Sequence, residues 1–83
     1  MKTYTFRITI EPDEKNTFHG YVPALHGCHT RGESLEEIRK NLREAIEVYL
    51  EDLIAEGEPI PKDLGFESFE TITLPSKKPS VHA

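Results

Sequence analysis

The chain has 83 residues, 36% of them hydrophobic, with fifteen acidic side chains against ten basic and a formal charge of −5. That length holds one small domain with a thin core, excludes a second core, and makes self-association an expected source of further burial. The acidic balance is opposite to that of a nucleic-acid binder acting alone, and leaves two readings open, a basic protein partner or plain solubility.

Tyr4 to Ile10 alternates, with Tyr4, Phe6, Ile8 and Ile10 on one face and Thr5, Arg7 and Thr9 on the other, which predicts a half-buried strand. An alternating N-terminus is not a signal peptide, and no apolar run approaches the roughly twenty residues of a membrane span. Pro12 to Asn16 is a polar turn, and a second strand is expected over Thr17 to Val22, closing a hairpin. Its inward face would carry Phe18, Gly20 and Val22, its outward face His19 and Tyr21. Gly20 inside a strand signals a bulge or a close approach by another group, and a bulge is the expectation. Pro23 and Gly27 bracket a turn, after which Cys28 to Arg31 forms a short third strand. Cys28 is the one cysteine, so no intrachain disulfide is possible and a reducing, cytoplasmic setting is expected.

Ser34-Leu35-Glu36-Glu37 reads as a capping box, with Ser34 as N-cap and Glu37 reaching back to the Ser34 N–H. The helix then runs from Leu35 to about Glu56. Its apolar stripe is Leu35, Ile38, Leu42, Ala45, Ile46, Tyr49, Leu50, Leu53 and Ile54, at spacings of three and four. Gly57 supplies the C′ position, and Pro59 and Pro61 forbid continuation. Ser68 to Leu74 again looks like strand, although Phe69 does not share the parity of Ile72 and Leu74. The domain is therefore placed at residues 1–74, with a polar, proline-broken and disordered tail at residues 75–83. The predicted class is α+β with order β-β-β-α-β. A right-handed crossover would return the last strand parallel to the first, giving a mixed four-stranded sheet of order 3-2-1-4 with one long helix packed on one face.

Chemistry of its own is not expected. His26, Cys28 and His29 lie within four residues and His19 could approach them, but a strand sends Cys28 and His29 to opposite faces, so no metal site is assigned. The same divergence disfavours a Cys-His nucleophile pair, and Gly27 and Gly32 read as turn residues and not a phosphate loop. Neither a catalytic residue nor a cofactor is assigned. The helix charges are more informative. Arg39, Lys40 and Arg43 occupy its first half, whereas Glu44, Glu47, Glu51, Asp52 and Glu56 crowd the second. Carboxylates near a helix C-terminus oppose the macrodipole, each by about 0.3–1 kcal/mol. A patch kept for a cationic partner explains that arrangement, and chance surface composition is the competing explanation.

Val22-Pro23-Ala24-Leu25-His26-Gly27-Cys28, followed by Thr30-Arg31-Gly32-Glu33-Ser34 and a Glu-rich helix, resembles the hallmark turn and helix entry of HicB-type antitoxins. The resemblance covers about Tyr4 to Pro61. It departs from the family pattern at Ala24 and His26, where Asp and Pro are frequent. It implies a partial ribonuclease-H-like fold without nuclease activity. It further implies an antitoxin of a type II toxin-antitoxin pair, neutralising a basic, mRNA-cleaving HicA-type toxin by protein-protein binding. Many relatives add a C-terminal DNA-binding module; the few residues after Leu74 are too short for one, so DNA binding is not expected. The candidate toxin-binding residues are Glu44, Glu47, Glu51 and Asp52, with Tyr21 and His19 from the open sheet face. The alternative is an orphan HicB-like domain, regulatory or small-ligand-binding, without a toxin partner.

Overall fold

A computed structural model of the chain describes residues 1–76. Three antiparallel strands, β1 (Thr9–Pro12), β2 (Phe18–Tyr21) and β3 (His29–Gly32), form a meander in the order β1-β2-β3, followed by one helix, α1 (Leu35–Ala55). The α+β class and the single long helix on one sheet face match the expectation. The paired registers are Thr9 opposite Tyr21, Glu11 opposite His19, His19 opposite Arg31, and Tyr21 opposite His29. They fix two faces. Ile8, Ile10, Phe18, Gly20, Thr30 and Gly32 face α1; Thr9, Glu11, His19, Tyr21, His29 and Arg31 face away.

The first hairpin closes through Glu14-Lys15-Asn16-Thr17. The Thr17 N–H donates to the Glu14 carbonyl at 3.2 Å, and both central residues have positive φ, 59° at Lys15 and 62° at Asn16. That is the type I′ arrangement, whose twist matches that of antiparallel strands. The second connection is held by Val22 and Cys28: the Val22 N–H donates to the Cys28 carbonyl at 3.0 Å, and Leu25 packs beneath, 1% exposed.

Three expectations are corrected. The first strand is a ladder only from Thr9, not from Tyr4. With Thr9 opposite Tyr21, residues 4–8 lie opposite the point where the chain leaves β2 at Val22, so nothing pairs with them. No fourth strand is formed among the described residues, and the order 3-2-1-4 is not present: Ser68 to Leu74 is unpaired, with Phe69, Ile72 and Leu74 exposed by 93%, 74% and 76%. Parallel pairing needs an accessible partner edge, and this segment leads away from the sheet after Gly65. Gly20 is no bulge. It pairs regularly with Ile10 and Thr30, and the close approach is by α1. A Cβ at Gly20 would stand 2.7 Å from Leu42 Cδ1, and one at Gly32 would stand 2.7 Å from the Ile38 backbone N. These two glycines let the helix sit directly on the sheet backbone. The expected tail lies outside the described residues from residue 77 onward.

Helix boundaries follow local chemistry. Ser34 Oγ accepts from the Glu37 N–H at 3.0 Å, and Glu37 Oε1 accepts from the Glu33 N–H at 2.6 Å, one residue before the donor expected from the capping-box pattern. At the other end the Gly57 N–H donates to the Ile54 carbonyl and the Glu58 N–H to the Leu53 carbonyl, a Schellman motif with Gly57 at φ 72°. The core comprises Val22, Leu25, Cys28, Ile38 and Leu42, with Phe6, Ile8, Ile10, Phe18, Ala45, Ile46, Tyr49 and Leu50 packed around it. Only the first half of α1 is fully covered. At about 1.5 Å per residue its 21 residues outrun strands of four, and Ile54 is 61% exposed.

Candidate protein-binding site

Two hydrogen bonds fix α1 against β3 and the turn that precedes it. Asn41 Nδ2 donates to the Arg31 carbonyl at 2.8 Å, and Tyr49 Oη donates to the His26 carbonyl at 2.9 Å. The side of α1 turned away from the sheet therefore has a defined orientation. Val48 lies on the flank beside the Gly27–Thr30 segment, 57% exposed, with Glu44 four residues before it and Glu51 and Asp52 three and four after it. Helical spacings of three and four place these carboxylates around Val48.

Glu44, Glu47, Glu51 and Asp52 are all exposed, but the structure does not gather them equally. Glu44 and Asp52 border a shallow depression between α1 and the Gly27–Thr30 segment. Glu47 borders a groove on the opposite flank of α1, beside Arg43 and Leu50. His19 and Tyr21 are half-buried on the far side of the sheet, so the six candidate residues fall on two faces of the domain.

The open sheet face carries more than those two residues. The His19 ring lies 6.1 Å from that of Tyr21 and 5.6 Å from that of His29, and the Arg31 guanidinium pairs with Asp13 at 3.0 Å. His29 and Arg31 were not among the candidates; the β2–β3 register, which puts them opposite Tyr21 and His19, is the signal that would have found them. The Glu14 N–H, donating to Asp13, holds that carboxyl below the usual carboxylate range, with Arg31 adding to the effect.

A second carboxylate organises the opposite edge. Asp63 Oδ2 accepts from the Arg7 backbone N–H at 2.8 Å, Oδ1 accepts from Arg7 Nε at 3.1 Å, and Oδ1 also accepts from the Gly65 N–H at 3.0 Å. The two backbone N–H groups, ahead of the guanidinium, hold the Asp63 carboxyl low. The Cys28 thiol is buried, and that burial pushes it up, away from the thiolate that nucleophilic chemistry needs. Among the described residues no three His, Cys, Asp or Glu side chains converge on a point where a metal ion would be held. The described residues offer exposed surfaces for contact on both sides of the domain.

Residues 6–73 match the family model described as the HicB_like antitoxin of bacterial toxin-antitoxin systems. A UPF0150 protein of Synechocystis is 42% identical over 60 residues, covering 72% of this chain and 76% of the relative. A UPF0150 protein of Archaeoglobus fulgidus is 50% identical over 46 residues, covering 55% of this chain and 67% of the relative. Among solved structures, the N-terminal domain of the Burkholderia pseudomallei antitoxin HicB superposes with a TM-score of 0.61 at 34% identity, covering 78% of this chain and 72% of that one.

Proposed function

The chain belongs to the HicB_like antitoxin family of bacterial toxin-antitoxin systems, and on that premise we propose that it neutralises a HicA-type mRNA-cleaving toxin by occupying it. The single observation carrying this reading is the family match from residue 6 to residue 73, across every strand and the whole helix. The setting is the cytoplasm, where mRNA is found, and no helix among the described residues is long and apolar enough to cross a membrane. The role asks for no reaction centre, only a complementary surface.

Charge supports the choice of surface. A toxin that grips RNA presents cationic groups to phosphates, and the exposed carboxylates Glu44, Glu51 and Asp52 around Val48 offer those groups an alternative. Glu47 stands apart from this face, on the other flank of α1 beside Arg43 and Leu50. His19 and Tyr21, on the opposite sheet face, are a second contact region that one toxin molecule reaches only by wrapping the domain edge.

The test is co-expression of the chain with the HicA-type toxin of the same genome, scored by rescue from growth arrest, followed by binding measurements on the purified pair. Glu44→Lys with Asp52→Lys should lower the association rate about tenfold or more and flatten its salt dependence, while the urea midpoint of the free chain barely moves. A wild-type complex insensitive to salt would remove the acidic face from the account. Failure to observe both rescue and a complex would remove the antitoxin reading itself.

A further inference from the structure

The open sheet face brings together side chains that lie far apart in the sequence. His19 on β2 and His29 on β3 share one diagonal of the β2–β3 ladder, with ring centroids 5.6 Å apart. Glu11 on β1 stands directly opposite His19 in the β1–β2 register. Alternation sends Cys28 the other way, into the core, so the set is two imidazoles and one carboxylate, one donor from each strand. Glu11 and His29 are exposed and His19 is half-buried. Among the described residues none of the three is in an ion pair, whereas the neighbouring Arg31 is neutralised by Asp13 at 3.0 Å.

This donor set suits a borderline divalent metal ion. Zinc takes imidazole nitrogen at about 2.0–2.1 Å, and sets of two histidines and a glutamate with water in the fourth place are among its tetrahedral sites. With the nitrogen roughly 1.2 Å from the ring centre, two rings on one tetrahedral ion stand about 5.3 Å apart. The observed 5.6 Å therefore asks for an adjustment of only about 0.3 Å, together with rotation of the two rings about χ2. Directly opposed Cβ atoms are about 4.5–5.5 Å apart, a span that a glutamate side chain covers by rotating toward His19. In the free chain the three donors do not converge, so the ion has to gather them.

We propose that Glu11, His19 and His29 bind one divalent ion of the zinc class on the open sheet face. Because β1, β2 and β3 each supply one ligand, the ion ties the whole meander together. A small domain with five core residues gains most from such a staple. The site belongs to the isolated chain, so it stands or falls separately from toxin neutralisation.

The experiment titrates the full metal-free chain with Zn²⁺ alone in a calorimeter at about pH 7.5, where imidazole is neutral and free to ligate. The expected result is one ion per chain with a Kd below about 100 µM, and a Tm that rises on adding Zn²⁺. Co²⁺ in its place should give the visible absorption of a four-coordinate ion. His29→Ala and His19→Ala should each weaken binding at least tenfold and abolish the rise in Tm, and Glu11→Gln should weaken it by several-fold. The Tm of each variant without metal shows that its fold is kept, and exposed His29 is the substitution least able to disturb it. His26→Ala with His82→Ala should bind as the parent does. No saturation below about 1 mM, one ion shared by two chains, unchanged affinity in His29→Ala, or loss of binding in the variant lacking His26 and His82 would each overturn the proposal.

Discussion

Seating α1 on Gly20 makes a prediction whose sign reverses with context. A methyl group at Gly20 meets Leu42 Cδ1 at 2.7 Å and Ile38 Cγ1 at 3.1 Å, and Ile38 and Leu42 are fully buried and unable to swing into solvent. Overpacking of this kind costs about 1–3 kcal/mol, offset by about 0.4–1 kcal/mol because alanine restricts the unfolded chain. Gly20→Ala should therefore lose about 1–2 kcal/mol, or on the order of 4–16 °C in Tm for a domain this small. A chain of this length holds about 4–12 kcal/mol in total, so the variant still folds. Leu42→Val removes the offending Cδ atoms and by itself loses on the order of 1–2 kcal/mol through lost burial and a small void. In that background Gly20→Ala should become neutral or stabilising, a coupling of about 1–2 kcal/mol between the two sites. Urea unfolding of all four chains, read as midpoint and slope, measures it. Strict additivity, or a harmless Gly20→Ala in the parent, would refute direct contact between helix and strand.

Lys15 and Asn16 both occupy left-handed backbone without being glycine, so Lys15→Asn together with Asn16→Gly should stabilise the hairpin by about 1 kcal/mol, checked by thermal melting. Asp63, held low by the Arg7 and Gly65 N–H groups, contributes stability that is fully present above about pH 4 and disappears as pH falls through its lowered native value. Asp63→Asn should weaken the fold at neutral pH and flatten the acid limb of the stability curve, and an unchanged acid limb would contradict the assignment.

What was legible in the chain was local. The capping residues around Ser34, the glycine stop at Gly57 and the three-four stripe of α1 depend on neighbours a turn away, and they set the helix to within a residue. The meander was also legible, because alternation and turn residues lie within each hairpin. The missing information was which segment meets which. The Arg7–Asp63 tie spans 56 residues and has no local signature. Ser68 to Leu74 has strand character, yet a strand exists only where an edge receives it. The acidic residues of α1 were correctly placed in solvent, but sequence spacing could not show Glu47 turning toward the groove while Glu44 and Asp52 border the other flank. Gly20 was misread because a strand sequence does not reveal how close the layer above it comes.

The hydrogen bond from Asn41 to the Arg31 carbonyl also guards an outward-facing acceptor of the edge strand β3. An incoming strand on that flank has to displace the Asn41 amide before it can pair at that point. Asn41→Ala frees the carbonyl, so concentrating that variant should bring more self-association than concentrating the parent.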